Sequence, residues 1–201
     1  MLLTVLYIIG ITVESITGAL AAGRRKMDLF GVVIVASVTA VGGGSVRDIL
    51  LGHYPLSWIQ HPIYILIVII AAVATTFIAP LMHCLRNVFL MLDALGLVVF
   101  SIIGTQVALS AGHASIIATI AAVITGVFGG VLRDMFCNQI PLVFQKELYA
   151  GIAFIVGWCY ILLSSTSLSH QTIVIITLLF GFCARLLVLR FGLCLPIFNY
   201  P

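Results

Sequence analysis

The stretch Leu29 to Leu51, LFGVVIVASVTAVGGGSVRDILL, decides the fold. Its first half is nearly continuous apolar sequence. Gly42, Gly43 and Gly44 then follow in succession, and Arg47 and Asp48 come about one helical turn later, still inside the run. At about 1.5 Å of rise per residue, a helix of this length crosses the roughly 30 Å hydrocarbon core of a bilayer. The rest of the chain has the same character, since 63% of its 201 residues are hydrophobic, 7% are charged and the mean hydropathy is +1.30. A soluble domain of that size cannot hide so much apolar surface. The sequence therefore describes an integral membrane protein.

Six further apolar stretches lie around this one, at about Leu3 to Ala22, Ile63 to Met82, Val88 to Leu109, Ser115 to Cys137, Leu148 to Ser164 and Thr172 to Leu189. Long continuous runs exclude a transmembrane barrel, whose strands alternate apolar and polar residues over about ten positions. The fold class is all-α, with seven transmembrane helices. The first stretch has small residues at Ala19 to Gly23, as a signal peptide would, but it lacks a basic start and Glu14 interrupts it. It is read as a retained helix.

Lys and Arg collect on one side. Arg24, Arg25, Lys26, Arg86, Arg133, Lys146, Arg185 and Arg190 fall after the first, third, fifth and seventh stretches, against Arg47 alone on the other side. This bias predicts an outside N-terminus and a cytoplasmic C-terminus. The net charge of +3 reflects this anchoring and does not call for nucleic acid. Cys84, Cys137, Cys159, Cys183 and Cys194 have no metal-type spacing and read as small hydrophobes. His53, His61, His83, His113 and His170 fall mostly in connecting segments and read as interfacial, as do Trp58, Tyr64 and Tyr149. With no nucleophile motif or phosphate loop, the chain reads as a non-enzyme without a cofactor.

Displaced by 86 positions, the separation of Gly43 from Gly129, the chain matches itself. Gly43-Gly44-Ser45-Val46-Arg47-Asp48 falls on Gly129-Gly130-Val131-Leu132-Arg133-Asp134. Gly10 falls on Gly96, Ser15 on Ser101, Gly18 on Gly104, Thr39 on Thr125, and Pro55-Leu56 on Pro141-Leu142. About a third of the pairs over Leu6 to Leu56 are identical, including Gly, Arg, Asp and Pro that apolar composition alone does not align. The match predicts two three-helix repeats, residues 1–86 and 87–168, followed by a seventh helix and tail over 169–201. An odd number of helices per unit makes the repeats inverted, with a site expected where their broken helices meet.

Three successive glycines favour a kinked or unwound turn in the second helix, each costing roughly 1 kcal/mol relative to Ala in a helix. Gly126, Gly129 and Gly130 give the fifth helix a similar kink or a close packing face. An opened turn would free carbonyls that only protein, water or an ion can satisfy, so the backbone of Gly42, Gly43 and Gly44 is a candidate site for a transient cation. Glu14 near mid-bilayer, Asp93 in the fourth stretch, and the Arg47-Asp48 and Arg133-Asp134 pairs cannot face lipid unpaired. They are expected to form ion pairs, to line a hydrated path, or both. Adjacent residues point about 100° apart on a helix, so pairing across the repeat is as open as pairing within each motif.

The sequence Gly42-Gly43-Gly44-Ser45-Val46-Arg47-Asp48-Ile49-Leu50-Leu51-Gly52 with Pro55, and Gly129-Gly130-Val131-Leu132-Arg133-Asp134 with Pro141 and Glu147-Leu148-Tyr149-Ala150, resembles the prokaryotic TRIC (trimeric intracellular cation) channels. The resemblance covers essentially the whole chain. It implies a homotrimer in the prokaryotic inner membrane, with a pore in each subunit for monovalent cations, K+ (or Na+) being the permeant ion. It also implies that kinked second and fifth helices line each pore, with Gly42, Gly43, Gly44, Gly129 and Gly130 as bends and Arg47, Asp48, Arg133 and Asp134 as neighbouring polar groups. Phe128 stands where Gly42 has its counterpart. Bacterial relatives of that family are also described as glycine-transporter domains, which implies the alternative of a secondary transporter for glycine or another small solute.

Overall fold

The computed structural model describes residues 2–79, 85–145 and 148–193. Every apolar stretch becomes a helix: α1 (Leu2–Arg24), α2 (Leu29–Leu51), α4 (Ile63–Ile78), α5 (Leu85–Ser110), α6 (Ser115–Phe136), α7 (Tyr149–Ser164) and α8 (His170–Phe191). A short helix, α3 (Ser57–Gln60), and a 3-10 turn (Leu142–Phe144) occupy the connections after α2 and α6. Neither was legible from hydropathy, because a single turn carries no period to read. Among the described residues, α1, α2, α5, α6 and α8 are long and apolar enough to cross a bilayer, whereas α4 and α7 have 16 residues each. The boundary expected between residues 86 and 87 falls inside the first turn of α5. Cys84, His83, Lys146, Glu147, Cys194 and the end of the third stretch at Met82 lie outside the described residues.

Local chemistry sets the helix ends. Asp28 caps α2, its Oδ1 accepting from the Gly31 amide at 2.7 Å. Gly52, at φ 66°, closes the same helix in the left-handed conformation that glycine adopts without a Cβ clash. Ser169 caps α8, accepting from the Thr172 amide.

The displacement of 86 recurs in the backbone. It carries the bounds of α4 onto those of α7, and the left-handed residues Lys26 and Gly52 onto the left-handed Gly112 and Asn138. It also carries the bond from the His53 amide to the Asp48 carbonyl onto that from the Gln139 amide to the Asp134 carbonyl, each 2.8 Å.

Helices α1, α2 and α4 pack on one another, as do α5, α6 and α7. Contacts of α2 with α6 and of α1 with α5 join the two groups, and α8 lies against α5 and α7. The start of α1 shares one end of the bundle, called upper here, with the C-terminal ends of α2 and α5, where their residues line a common cavity. The end of α1 lies with the end of α6 at the lower end, where Arg25 Nη2 donates to the Asn138 carbonyl at 3.1 Å. Helices α1 and α5 thus run in opposite directions. Polar groups in the interior are tied to nearby carbonyls; Ser15 Oγ, for example, donates across to Val68 O at 2.7 Å. Large apolar side chains such as Phe30, Phe77 and Leu179 point outward, as lipid-facing residues do.

The glycine-rich segments depart from expectation. Helices α2 and α6 are α-helical without interruption through Gly42–Gly44 and Gly126–Gly130, so there is no unwound turn. The helices touch there instead. A Cβ on Gly43 would collide with the Thr125 carbonyl oxygen, and one on Gly129 with the Thr39 carbonyl oxygen, positions that correspond under the displacement of 86. Glycine is required at this crossing because backbone meets backbone, and the driving force is close packing.

Candidate functional site

The crossing of α2 and α6 forms a waist. Glu14, Thr39, Gly43, Gly44, Thr125 and Gly129 lie around it, and the space between them holds no water-sized volume. Glu14 comes from α1 and is 3% exposed. Its Oε2 lies 2.9 Å from the Thr17 hydroxyl, and its Oε1 rests against Gly96, where any side chain on α5 would displace it. With α2 helical throughout, the carbonyls of Gly42, Gly43 and Gly44 lie in the helical ladder and not in an unwound turn. Gly42 packs beneath Leu132, Gly44 faces open space apart from Arg47, and Gly130 faces Arg133 and Tyr149.

A charged cluster lies to either side of the waist. Above it, Arg47 Nε and Nη2 donate to Asp48 Oδ1 at 2.9 and 2.7 Å. His53 Nδ1 stands 3.3 Å from the same oxygen, and Ser57 Oγ faces Asp48 Oδ2 at 3.5 Å. Below it, Arg133 Nε donates to Asp134 Oδ1 at 2.8 Å and Nη1 to Asp93 Oδ1 at 2.7 Å, while the Leu142 amide donates to Asp134 Oδ2. The Phe89 ring centre lies 4.7 Å from the Arg133 guanidinium carbon and 4.9 Å from that of Arg24. Each Arg thus pairs with the Asp that follows it, and neither pair spans the two halves. The bond is available because a guanidinium is long enough to turn back over the adjacent side chain.

Both arginines are withdrawn from solvent, Arg47 at 2% exposed and Arg133 at 0%. Arg185 on α8 is buried as well, its guanidinium 4.6 Å from the Tyr149 ring. Arg133 and Arg185 therefore belong to the interior, not to the cytoplasmic-side loops and tail with which charge counting grouped them. Arg24, Arg25, Lys26, Arg86 and Arg190 remain as the basic rim of the lower end.

Cavities adjoin both clusters. An upper one of about 350 Å³ is bounded by Tyr7, Arg47, Gln60, Tyr64 and Gln106 among others. A lower one of about 270 Å³ lies beside Arg24, Arg86, Asp134 and Gln139. The structure thus brings Glu14, Gly43, Gly44 and Gly129 together at the waist, sets Arg47 and Asp48 above, and gathers Asp93, Arg133 and Asp134 below. Sequence reasoning missed Tyr7, Phe89 and Gln106. The self-alignment held a signal for Tyr7, which it pairs with Asp93. Among the described residues no cluster of His, Cys, Asp and Glu has a metal-binding arrangement. Cys137 is buried, Cys159 half-buried, and Cys183 exposed on α8.

A bundle of long apolar helices with buried Arg-Asp pairs on either side of a glycine-packed waist defines a polytopic membrane protein that holds charged groups in its interior. The chain belongs to the family described as Glycine transporter, whose profile matches it twice, over residues 4–80 and 90–165. It is 37% identical to a UPF0126 membrane protein of Vibrio cholerae, over 97% of this chain and 83% of that one. It is 36% identical to the UPF0126 inner membrane protein YadS of Escherichia coli K12, over 98% and 97%. Among solved structures, the TRIC trimeric intracellular cation channel orthologue from Rhodobacter sphaeroides superimposes with a TM-score of 0.91 at 33% identity, covering 96% of this chain and 99% of that one. A prokaryotic TRIC channel crystallised in 0.5 M KCl gives 0.90 at 31% identity, covering 96% and 98%. The recognition from paired Gly-Gly and Arg-Asp motifs therefore holds.

Proposed function

We propose that the chain is a monovalent cation channel, chiefly for K+, with a path inside each subunit of a homotrimer. The path runs from the upper cavity, through the α2–α6 waist, to the lower cavity. The observation that carries this reading is the arrangement of two cavities, one bounded by Arg47 and one by Asp134, on either side of a waist closed by two backbones and flanked by one carboxyl, Glu14. The pattern of charge supports cations. Next to the waist Arg47 and Arg133 are matched by Asp48, Asp93 and Asp134, and Glu14 adds a further carboxyl, so the formal balance there is acidic, with Arg24 and Arg86 entering only at the wall of the lower cavity. Conduction requires α2 and α6 to part at the Gly43–Thr125 and Gly129–Thr39 contacts, since the waist has no room for water as it stands.

The chain is further read as two inverted repeats, residues 1–86 and 87–168, with α8 and the tail outside them. The matched bounds of α4 and α7, the matched left-handed turns, the opposed α1 and α5, and the two segments of the family profile support this. A basic lower rim supports an outside N-terminus and a cytoplasmic C-terminus. The homotrimer rests on the trimeric state named for the Rhodobacter sphaeroides relative.

Planar-bilayer recording of the purified chain tests the reading. Unitary currents reversing near the K+ equilibrium potential are expected. Saturable glycine uptake into vesicles without unitary currents would replace the channel with the transporter.

A further inference from the structure

Two of the buried arginines, Arg47 and Arg133, occupy corresponding positions, but α1 and α5 bring different neighbours to them. Displacement by 86 pairs Tyr7 with Asp93 and Leu3 with Phe89. In the lower half Asp93 takes the Nη1 bond of Arg133, and Phe89 covers the guanidinium face. In the upper half Tyr7 and Leu3 line the 350 Å³ cavity, so no second carboxylate reaches the arginine. Arg47 Nη1, on a side chain 2% exposed, has no acceptor among the described residues, and Arg47 is one of the residues that bound the cavity. Gln106 Oε1, in the same wall, is likewise buried without a donor. Arg133 also keeps one nitrogen, Nη2, without an acceptor among the described residues, but the gap that Arg133 lines with Gly130, Leu142 and Tyr149 admits no water-sized group, and the 270 Å³ lower cavity reaches Asp134 without reaching Arg133. Of these two, among the described residues, the upper arginine is the one that combines an N–H without an acceptor with an adjoining cavity large enough for a ligand.

We propose that the upper cavity is a binding site for a small monocarboxylate, one oxygen of which accepts from Arg47 Nη1 the bond that Asp93 accepts from Arg133. The lower cluster is the internal precedent, because there this same scaffold holds two carboxylates around one guanidinium. A monoanion suits the upper half better than a dianion, since Asp48 already supplies one negative charge to Arg47. The remaining wall favours a short apolar tail: Ile103 and Val107 lie on one side, and the rings of Tyr7 and Tyr64, 4.8 Å apart, on the other. A desolvated guanidinium at the base with apolar sides above it is the usual composition of a small-ligand pocket. The site stands whether or not the chain conducts ions, and its test reads binding alone.

Propionate titrated by saturation-transfer NMR against the purified full chain in phosphatidylcholine nanodiscs is the direct experiment. Saturable binding is expected, with propionamide at least about tenfold weaker because it lacks the charge that strengthens the bond to Arg47. Tyr7→Asp should weaken propionate by about the same factor, since it fills the place with the protein's own carboxylate as Asp93 does below. Tyr7→Phe should leave affinity within about twofold, the loss expected when no bond to the ligand is removed. Arg47→Gln should abolish binding. Tyr7→Asp is the safer variant because it keeps the Arg47–Asp48 pair intact. Propionate that does not saturate, or that binds Tyr7→Asp as tightly as the unaltered chain, would overturn the proposal. So would a signal from phosphatidylglycerol nanodiscs that propionate cannot displace, which would mark the cavity as a lipid headgroup site.

Discussion

The upper and lower halves carry the same Arg-Asp motif in different company. Below the waist Arg133 is held by Asp93 and Asp134 and covered by Phe89. Above it, Arg47 has Asp48 alone and faces an open cavity. One arrangement is a lock and the other a receptive wall, although the helix bearing the arginine is nearly the same in both. The difference comes from the neighbouring helix, where Asp93 and Phe89 on α5 answer Tyr7 and Leu3 on α1. Asp93→Ala should therefore produce the largest effect of any single change here, about 3 kcal/mol of lost stability, because a buried guanidinium loses one of two counter-charges. Tyr7→Ala, at the corresponding place, should cost less than half of that. Thermal unfolding of both variants in detergent is the measurement, and equal losses would abolish the distinction between lock and wall.

The waist divides the glycines in the same way. A Cβ at Gly43 or Gly129 meets a carbonyl oxygen of the opposite helix, whereas one at Gly44 has only Arg47 Nη2 near it, at 3.9 Å. Gly43→Ala and Gly129→Ala should each destabilise by about 1 to 3 kcal/mol, the range for overpacking a contact that cannot yield. Gly44→Ala should be neutral or slightly stabilising, since alanine is the better helix former. Their closely similar effects would support the matched crossing. A large effect at Gly44 with none at Gly43 would show that helix flexibility, not close approach, is what the glycines provide.

Much of this was legible in the sequence. The bounds of α2 were read to the residue, because the apolar run starts just after a capping Asp28 and ends at Gly52. The 86-residue displacement located both motifs. What failed was the inference from three glycines to a broken helix. Glycine lowers helix propensity locally, but it also lets two backbones touch, and in a bundle the tertiary contact prevails. The pairing of each Arg with the next residue was equally invisible, since a 100° separation of Cα–Cβ directions says little about where a long guanidinium ends. The upper cavity escaped for a plainer reason. It is made by the absence of a carboxylate at Tyr7, and one helix read alone does not reveal what its neighbour fails to supply.

Glu14, like Asp93, is a buried charge that the repeat does not duplicate, since Phe100 stands at its counterpart. If the waist opens for cations, Glu14 is the carboxyl nearest its narrowest point, and Glu14→Gln should lower the preference for K+ over Cl− several-fold while leaving the fold intact. Reversal potentials in asymmetric KCl read this directly. An unchanged ratio would place selectivity in the flanking clusters instead.

The smallest effect is expected at His53. It stands 3.3 Å from Asp48, but its side chain is 48% exposed, and Asp48 already has a closer partner in Arg47 at 2.7 Å. An exposed pair of this kind is worth about 0 to 1 kcal/mol, and solvent screening reduces it further. His53→Ala should therefore leave thermal stability within about 0.5 kcal/mol and propionate affinity within about twofold. The comparison of halves depends on this outcome. Gln139 occupies the counterpart of His53 in the lower half, so the imidazole is a difference between the halves that is expected to be silent. A loss at His53 approaching that at Asp93 would mean that the upper half has a second counter-partner after all, drawn from the loop instead of from α1.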